Sequence, residues 1–482
     1  MRFPRVCFAI VLVVALGSCE SFTSFDSQED LRRSAPRDYS SQVSPDNPTR
    51  VVPVESYRAG PPRNRAVSVP ASISEKLRND PPGGLSALVK YLTEGIDDPF
   101  EKARILHDWV ALNIAYDSAG LLSGHIPAQG FASVIASGKA VCDGYSTVYQ
   151  ALCESAGLPC QKVSGWACVG EDSDIFSTVK LDETNHAWNA VLLKGAWYLV
   201  DTTWDAGQVL EGKWQRNFVT GWFLCEPEAM VWRHLPQNPI WQLKPTETTA
   251  EEFARIPLFE EGYFDEFGNA PLELNRVNRV GGVVTFTLPA ARDAARVSYA
   301  LWNYPMKTGK NRDVPDCIWR ERKGSLESIT VAFPNPGKYM FSVCLAEKGD
   351  ESGVSGSNSG TMIARLGFEA TDSGLLNFPT LYPSPCEFRL LEPLSSPLLA
   401  NTKYRFRFAL SKTASLEAYT NDYVEHHFCT FTSVVRGDMY EFEVTTPPGG
   451  FLSVAAKTAD SSVPQFLVQF GITTAGPAKS RK

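Results

Sequence analysis

Residues 185–205 read NHAWNAVLLKGAWYLVDTTWD, and this stretch decides the fold because it predicts a β-hairpin carrying a histidine and a carboxylate. If Lys194-Gly195 forms the turn between the two β runs, Trp188 faces Asp201 and His186 faces Thr203. His186 then lies diagonally beside Asp201 on one face, where a carboxylate can hold one imidazole nitrogen and fix the tautomer. A shift of one residue in register would move Asp201 to the opposite face.

A cysteine precedes this hairpin at the start of a predicted helix. Residues 138–146 read GKAVCDGYS, and the residues up to Ala156 suit a helix that Gly157-Leu158-Pro159 would end. The positive end of a helix dipole favours a thiolate at Cys142, and nearby backbone amides can stabilise an oxyanion. A lone cysteine at a helix start is more often structural, so its interpretation depends on the hairpin.

Cys142, His186 and Asp201 together make a set that can attack a carboxamide. His186 accepts the thiol proton, or stays protonated beside the thiolate, and later protonates the departing amine or ammonia. Asp201 orients and stabilises the charged ring. The resulting thioester passes either to water or to an amine, and the residues leave both outcomes open.

The segments GKAVCDGYS, NHAWN and WYLVDTTWD, in this order, resemble the transglutaminase-like cysteine superfamily. Residues 222–228, WFLCEPE, followed by His234-Leu235-Pro236, are similar to its kyphoscoliosis-peptidase-like branch. The resemblance implies a papain-like α+β core over residues 73–250. It also implies that Cys142 is the nucleophile, His186 the acid and base, and Asp201 the orienting carboxylate. His234 is expected to be a packing residue, and the second oxyanion donor stays open, with Gln129 and Trp109 as candidates.

The pattern changes after about residue 250 to short period-two segments separated by Gly, Pro, Asn and Asp. Such spacing predicts β-sandwiches. We expect two immunoglobulin-like sandwich domains, at 251–372 and 373–478, with one larger β domain as the alternative. Each half contains two cysteines that could form a bridge in an oxidising compartment, namely Cys317 and Cys344, and Cys386 and Cys429.

The N-terminus has the features of an export signal. Residues 1–19 combine two arginines with an apolar run that is too short to span a bilayer, and their end, Leu16-Gly17-Ser18-Cys19, resembles a bacterial lipobox. This predicts cleavage and lipidation of Cys19, with a plain secretory signal as the alternative. Residues 20–72 are rich in Ser, Pro and charge, which predicts a disordered tether. We therefore expect an exported protein that a lipid holds to a membrane of the cell envelope.

Composition excludes several classes of protein. The 482 residues are 43% hydrophobic, which is ordinary for a globular chain and excludes a wholly disordered or collagen-like one. The net charge of −8 lacks the basic excess of a nucleic-acid binder. The sequence contains no phosphate loop, dinucleotide fingerprint or zinc motif, so it predicts neither cofactor nor metal.

Two functions fit these observations. The first is an exported, lipid-anchored cysteine enzyme acting on peptide or glutamine carboxamides, by hydrolysis rather than crosslinking because water is always present. The second is a non-catalytic surface module that uses the same fold as a scaffold. Under either function, the sandwich domains could bind a protein or glycan partner.

Overall fold

A computed structural model describes most of the chain beyond its N-terminal segment. The described residues are 38–43, 54–168, 174–177, 179–210, 212–268, 273–293, 296–304, 314, 317–346, 361–374, 377–382, 388–410, 415–421, 426–429, 431, 433–457 and 463–474. They fall into two compact units, one ending at Leu258 and one starting at Phe259. Cys19, the predicted signal peptide and Cys386 lie outside the described residues.

The first unit combines helices with a mainly antiparallel sheet. Its α-helices are α1 (Glu55–Arg58), α2 (Asn64–Val67), α3 (Ala71–Asn79), α4 (Pro81–Thr93), α5 (Pro99–Asn113), α6 (Ser118–Ser123), α7 (Phe131–Ser137), α8 (Cys142–Ser155), α9 (Thr202–Ala206), α10 (Pro227–Met230) and α11 (Ala250–Arg255). Two short 3₁₀ turns occupy Ser40–Gln42 and Pro239–Gln242. None of the helices in the described residues is long and apolar enough to cross a membrane.

The described residues of this unit contain nine strands, and five of these strands form one sheet. The strands are β1 (Ala115–Tyr116), β2 (Lys139–Ala140), β3 (Cys160–Ala167), β4 (His186–Leu193), β5 (Ala196–Val200), β6 (Gly207–Leu210), β7 (Lys213–Arg216), β8 (Phe223–Cys225) and β9 (His234–Pro236). The order across the sheet is β8-β5-β4-β3-β9, and β1–β2 and β6–β7 are separate pairs. The helices and this sheet together form the mixed α+β core that the sequence predicts.

Local sequence explains the two helices that pack on this sheet. Asp98 caps α5 by accepting from the amide of Phe100, and Pro99 fits the first helical turn, where its missing N–H is not needed. Tyr145 and Tyr149 of α8 are fully buried in one apolar cluster with Val191 of β4. Because the helix and the strand share this cluster, the start of α8 is fixed relative to β4.

The predicted tether is wrong over residues 54–72. These residues form α1, α2 and the start of α3, and Val54 and Ala66 are buried in the core of the unit. The phenol of Tyr57 donates to Asp98, and its ring stacks on Phe100 at 4.9 Å. Abundant Pro, Ser and charge predict disorder only where the chain finds no surface to pack on, and here it finds one.

The second unit consists almost entirely of strands. It contains α12 (Glu261–Phe267) and the strands β11 (Val277–Val280), β12 (Val283–Pro289), β13 (Val297–Asn303), β14 (Ile318–Lys323), β15 (Leu326–Ala332), β16 (Gly337–Leu345), β17 (Thr361–Ala370), β18 (Thr380–Leu381), β19 (Phe388–Glu392), β20 (Leu398–Leu399), β21 (Lys403–Leu410), β22 (Ser415–Asn421), β23 (His426–Cys429), β24 (Val434–Arg436), β25 (Met439–Thr445), β26 (Phe451–Lys457) and β27 (Gln465–Thr473), after β10 (Leu258–Phe259) at the boundary.

Aromatic residues fill the space between facing sheets in this unit. Phe286 of β12 contacts Phe341 of β16 at 5.3 Å between ring centroids, which joins the sheet β12-β15-β14 to the sheet containing β13, β16 and β17. Further along the chain, Phe406 of β21 contacts Phe470 of β27 at 5.4 Å and joins the sheet β19-β21-β25-β24 to the one built on β26 and β27. Two successive pairs of packed sheets result.

The division of this unit near residue 372 stays a prediction. The pairings among the described strands join partners on one side of residue 372 only. However, the indole of Trp319 lies 5.9 Å from Phe378 and belongs to the same apolar cluster as the later strands, so the two halves share buried contacts. Cys317 and Cys344 are thiols, not the bridge that the sequence allowed.

Candidate active site

The β4–β5 hairpin has the predicted turn and register from Asn189 to Val200. The pairing ends there, so the predicted opposition of His186 and Thr203 is wrong, because Thr203 belongs to α9. Lys194 and Gly195 have positive φ angles of 48° and 86°, as a two-residue turn of type I′ requires. Asn189 pairs with Val200, and Leu193 pairs with Ala196. This register places the start of β4 beside the end of β5.

Asp201 follows directly on β5 and caps α9. Its Oδ1 atom accepts hydrogen bonds from the amides of Thr203 and Trp204 at 2.9 and 3.1 Å. The carboxylate is fully buried. Because the helix cap fixes Oδ1, the second oxygen, Oδ2, is held in one direction.

His186, the first residue of β4, lies where Oδ2 points. Its Nε2 atom is 2.6 Å from Oδ2 of Asp201, so the neighbourhood predicted from the hairpin is present in the structure. Burial by itself would lower the pKa of His186, but the charge of Asp201, its hydrogen bond and a hydrogen bond with Cys142 raise that pKa to about 10. His186 donates from Nε2 to this carboxylate, and its raised pKa favours the charged form of the ring.

Cys142 is the first residue of α8, as predicted, and is half-buried. The side-chain oxygen of Gln129 accepts from the amide of the preceding residue, Val141, at 2.9 Å and holds the turn before the helix. Trp109, the other candidate for an oxyanion donor, lies on α5 and is buried in the apolar cluster of the first unit. Of the two, Gln129 is the one whose contact lies next to Cys142.

His234 is a member of the cluster that the sequence prediction missed. Its Nε2 atom lies 3.1 Å from the same Oδ2 of Asp201. Burial lowers the pKa of His234 to about 4 despite this hydrogen bond, so the ring is neutral and donates from Nε2. The His234-Leu235-Pro236 motif was the available signal, but nothing local in it indicates that β9 lies next to Asp201.

Asp201 thus accepts from two imidazoles through one oxygen. Burial would raise the pKa of this carboxyl, but the charge and hydrogen bond of His186 and the hydrogen bond of His234 hold it well below its usual range. Trp188, Trp204 and Trp222 surround the rings of the two histidines at centroid distances between 4.3 and 6.0 Å. The aromatic wall excludes water and so strengthens the buried ionic contact.

The same three side chains offer atoms suited to a metal. The ligand atoms of His186, Asp201 and His234 lie within 4.8 Å of one another. Both nitrogen-to-oxygen distances are those of hydrogen bonds, and each side chain is more than nine-tenths buried. A metal ion would have to displace the protons that now join these atoms.

Comparison with known proteins finds similar sequences for the part of the chain that contains these residues. Residues 86–202 match the transglutaminase-like superfamily, a span that contains Cys142, His186 and Asp201. This span is thus similar to a transglutaminase-like domain. The chain is similar to kyphoscoliosis peptidase from Homo sapiens, with 29% identity over 210 residues that cover 42% of this chain and 31% of the relative. It is also similar to hillarin from Drosophila melanogaster, with 24% identity over 229 residues that cover 44% of this chain and 26% of that protein.

The matched region spans less than a third of each of these two relatives. Among solved structures, a crystal structure of a TGase covers 30% of this chain and 34% of that one, with 18% identity and a TM-score of 0.20. The match to kyphoscoliosis peptidase agrees with the branch of the superfamily to which the sequence is similar. His234 lies beyond the matched residues 86–202 and contacts Asp201, which lies within them.

Proposed function

We propose that this protein is a cysteine enzyme that acts on peptide or glutamine carboxamides through a thioester. The observation that carries the proposal is the buried contact of His186 with Asp201, 2.6 Å between Nε2 and Oδ2, in a unit where Cys142 begins α8. Cys142 also contributes to the raised pKa of His186. A cysteine that an imidazole can serve as acid and base is the arrangement of a nucleophilic cysteine enzyme.

The reaction follows from the positions of these groups. The sulfur of Cys142 attacks the carboxamide carbon, and the oxyanion forms near the first amides of α8. His186 gives its proton to the leaving amine or ammonia, and Asp201 keeps the ring oriented while its charge changes. Water or an amine then takes the acyl group from the sulfur. Hydrolysis is the proposed outcome because water needs no binding site of its own.

We further propose that the enzyme is exported and anchored through a lipid on Cys19, on the strength of the lipobox-like residues 16–19. The two pairs of packed sheets would then be immunoglobulin-like domains that bind a protein or glycan partner. Paired sheets with aromatic cores support this architecture. The proposed substrate is a protein or peptide of the cell envelope.

Two measurements test the enzymatic function. Iodoacetamide at neutral pH should alkylate Cys142 faster than the half-buried Cys429 of the same chain, and His186→Ala should abolish the difference. Incubation with glutamine-containing peptides and a labelled amine should then release ammonia, cut the chain or incorporate the label, which names the reaction. If Cys142 reacts no faster than Cys429 and no product forms, the protein is a binding module and the enzymatic proposal is wrong.

A further inference from the structure

Residues 54–67, which we call the N-terminal strap, contact the turn that leads into β8. Two nitrogens of the Arg58 guanidinium donate to the carbonyls of Thr220 and Gly221, at 3.0 and 2.7 Å. In return, the hydroxyl of Thr220 donates to the carbonyl of Arg58 at 2.9 Å. The strap and residues 220–221 are therefore joined by three hydrogen bonds across more than 160 residues of sequence.

The next residue in that turn holds the backbone of the proposed orienting carboxylate. The carbonyl of Trp222 accepts from the amide of Asp201 at 3.1 Å. The amide of Trp222 donates to Oδ1 of Asp205, one turn further along α9, at 3.0 Å. Trp222 thus fixes both ends of the short helix that Asp201 caps.

A second set of contacts runs from the strap to the same residue through buried charges. The amide of Arg63 donates to Oδ2 of Asp108 at 2.8 Å, and Oδ1 of Asp108 lies 3.0 Å from Nδ1 of His107. The other nitrogen of His107 lies 2.9 Å from Oδ2 of Asp205. His107, Asp108 and Asp205 are completely buried. The buried imidazole therefore links the strap to the carboxylate that receives the amide of Trp222.

A buried arginine completes the attachment of the strap. Arg104, which is inaccessible to solvent, donates to the carbonyls of Tyr57 and Arg58, and its Nε atom lies 2.6 Å from Oδ1 of Asp108. Removal of the strap would leave this guanidinium short of two acceptors in an apolar surrounding. Such a loss is costly, so the folded unit favours the docked strap.

We propose that Arg58 is a positioning residue, which acts through the 220–222 turn to hold Asp201 in register with His186. The effect of Arg58 on activity rests on the proposed function, whereas its effect on the position of Asp201 does not. A misplacement of about 1 Å in a reacting group can cost about a hundredfold in rate. Because Arg58 touches neither the cysteine nor the histidine, its substitution changes the site only through the turn.

The chain supplies a matched control in the same strap. Arg65 also donates to backbone carbonyls, those of Tyr91, Leu92 and Glu94, and is half-buried like Arg58. Its partners lie at the end of α4 and do not include the 220–222 turn. Arg58→Gln and Arg65→Gln therefore remove comparable contacts of the strap, and only the first variant affects the turn beside Asp201.

The experiment measures two quantities in the full chain. The first is the rate of Cys142 alkylation at neutral pH, which should fall about 10- to 100-fold in Arg58→Gln and by less than about twofold in Arg65→Gln. The second is the downfield proton NMR signal of the His186–Asp201 hydrogen bond in protein labelled at histidine, which should shift or broaden only in Arg58→Gln. Arg58→Lys, which keeps the charge and one donor, should restore part of both. Urea unfolding checks that the two glutamine variants remain folded to a similar extent.

The outcomes separate the two proposals. An unchanged proton signal in a folded Arg58→Gln variant, or equal changes in both glutamine variants, would overturn the positioning role. A shifted signal in Arg58→Gln, in a protein whose wild-type Cys142 reacts no faster than Cys429, would support the positioning role and reject the enzymatic function. If Arg58→Gln unfolds, both quantities are measured in Arg58→Lys instead. Because lysine keeps only one of the two donors, a proton signal there that equals the wild-type signal also counts against the proposal.

Discussion

The substitution Asp201→Asn tests the buried site most directly, because it changes charge and almost nothing in shape. The asparagine keeps an oxygen for the amides of Thr203 and Trp204, so the cap of α9 is retained. In place of Oδ2, however, it presents an N–H group to the two Nε2–H groups of His186 and His234. His186 can then avoid a clash only by losing its Nε2 proton, which leaves the proton on Nδ1.

The size of the effect follows from the burial of this pair. Removal of one partner of a buried ion pair costs about 3–5 kcal/mol. That cost is a loss of stability. The rate should fall for a separate reason, because a neutral side chain no longer holds the ring charged and oriented; the same change in a Ser-His-Asp set costs about 10⁴-fold in turnover, so the reaction of Cys142 should slow by about 10²- to 10⁴-fold. The pKa of His186, about 10 in the native site, should fall because the charge that raises it is gone.

The assay is the rate at which iodoacetamide alkylates Cys142, followed by mass spectrometry of the labelled peptide. Cys429 serves as a second, half-buried thiol in the same molecule. Asp80→Asn is the matched control, because Asp80 also caps a helix through its side chain and lies far from any contact with His186. If folded Asp201→Asn protein alkylates at Cys142 within about threefold of the wild-type rate, the reasoning about the buried pair is refuted.

Other substitutions test neighbouring parts of the structure. His234→Leu removes one donor from Asp201 and should slow the same alkylation about 10- to 100-fold, whereas His234→Gln keeps a donor and should recover most of the rate. The folded-state pKa of His186 is raised, so the stability it contributes should be complete below about pH 6.5 and lost as pH rises toward about 10, measured by urea unfolding. Gly195→Val should lower the free energy of unfolding by about 1–3 kcal/mol, because φ is 86° there, and an unchanged unfolding midpoint would contradict this. Cys19→Ser should release the protein from membranes, and retention would count against lipidation.

Local patterns were sufficient for the elements that carry the proposed triad. The two β runs that flank Lys194-Gly195 predicted the hairpin and its register next to the turn, because a two-residue turn fixes which residues oppose each other. The helix start at Cys142 follows from the residues next to it. The approach of His186 to Asp201 was predictable for the same reason, since both residues lie on one hairpin.

Composition was a poorer guide for the residues before α3. Residues 54–72 have the content of a linker, yet Ala66 is completely buried and Arg58 clamps a distant turn. A count of prolines and charged residues does not reveal whether another folded part of the chain offers carbonyls and carboxylates that the arginines and backbone amides of this segment can bind. The second unit shows the same limit. The sequence predicts its individual strands, but it does not predict how these strands group into domains.

By itself, the sequence determined which residues turn, alternate and begin helices, because these properties depend on neighbours a few positions away. It therefore placed Cys142 at a helix start and His186 near Asp201. Only the tertiary structure decided that His234 shares the carboxylate of Asp201, and that Arg58 reaches the turn beside it. These contacts join segments separated by tens to more than a hundred residues, and they form because the burial of one apolar core brings their polar groups to the same place.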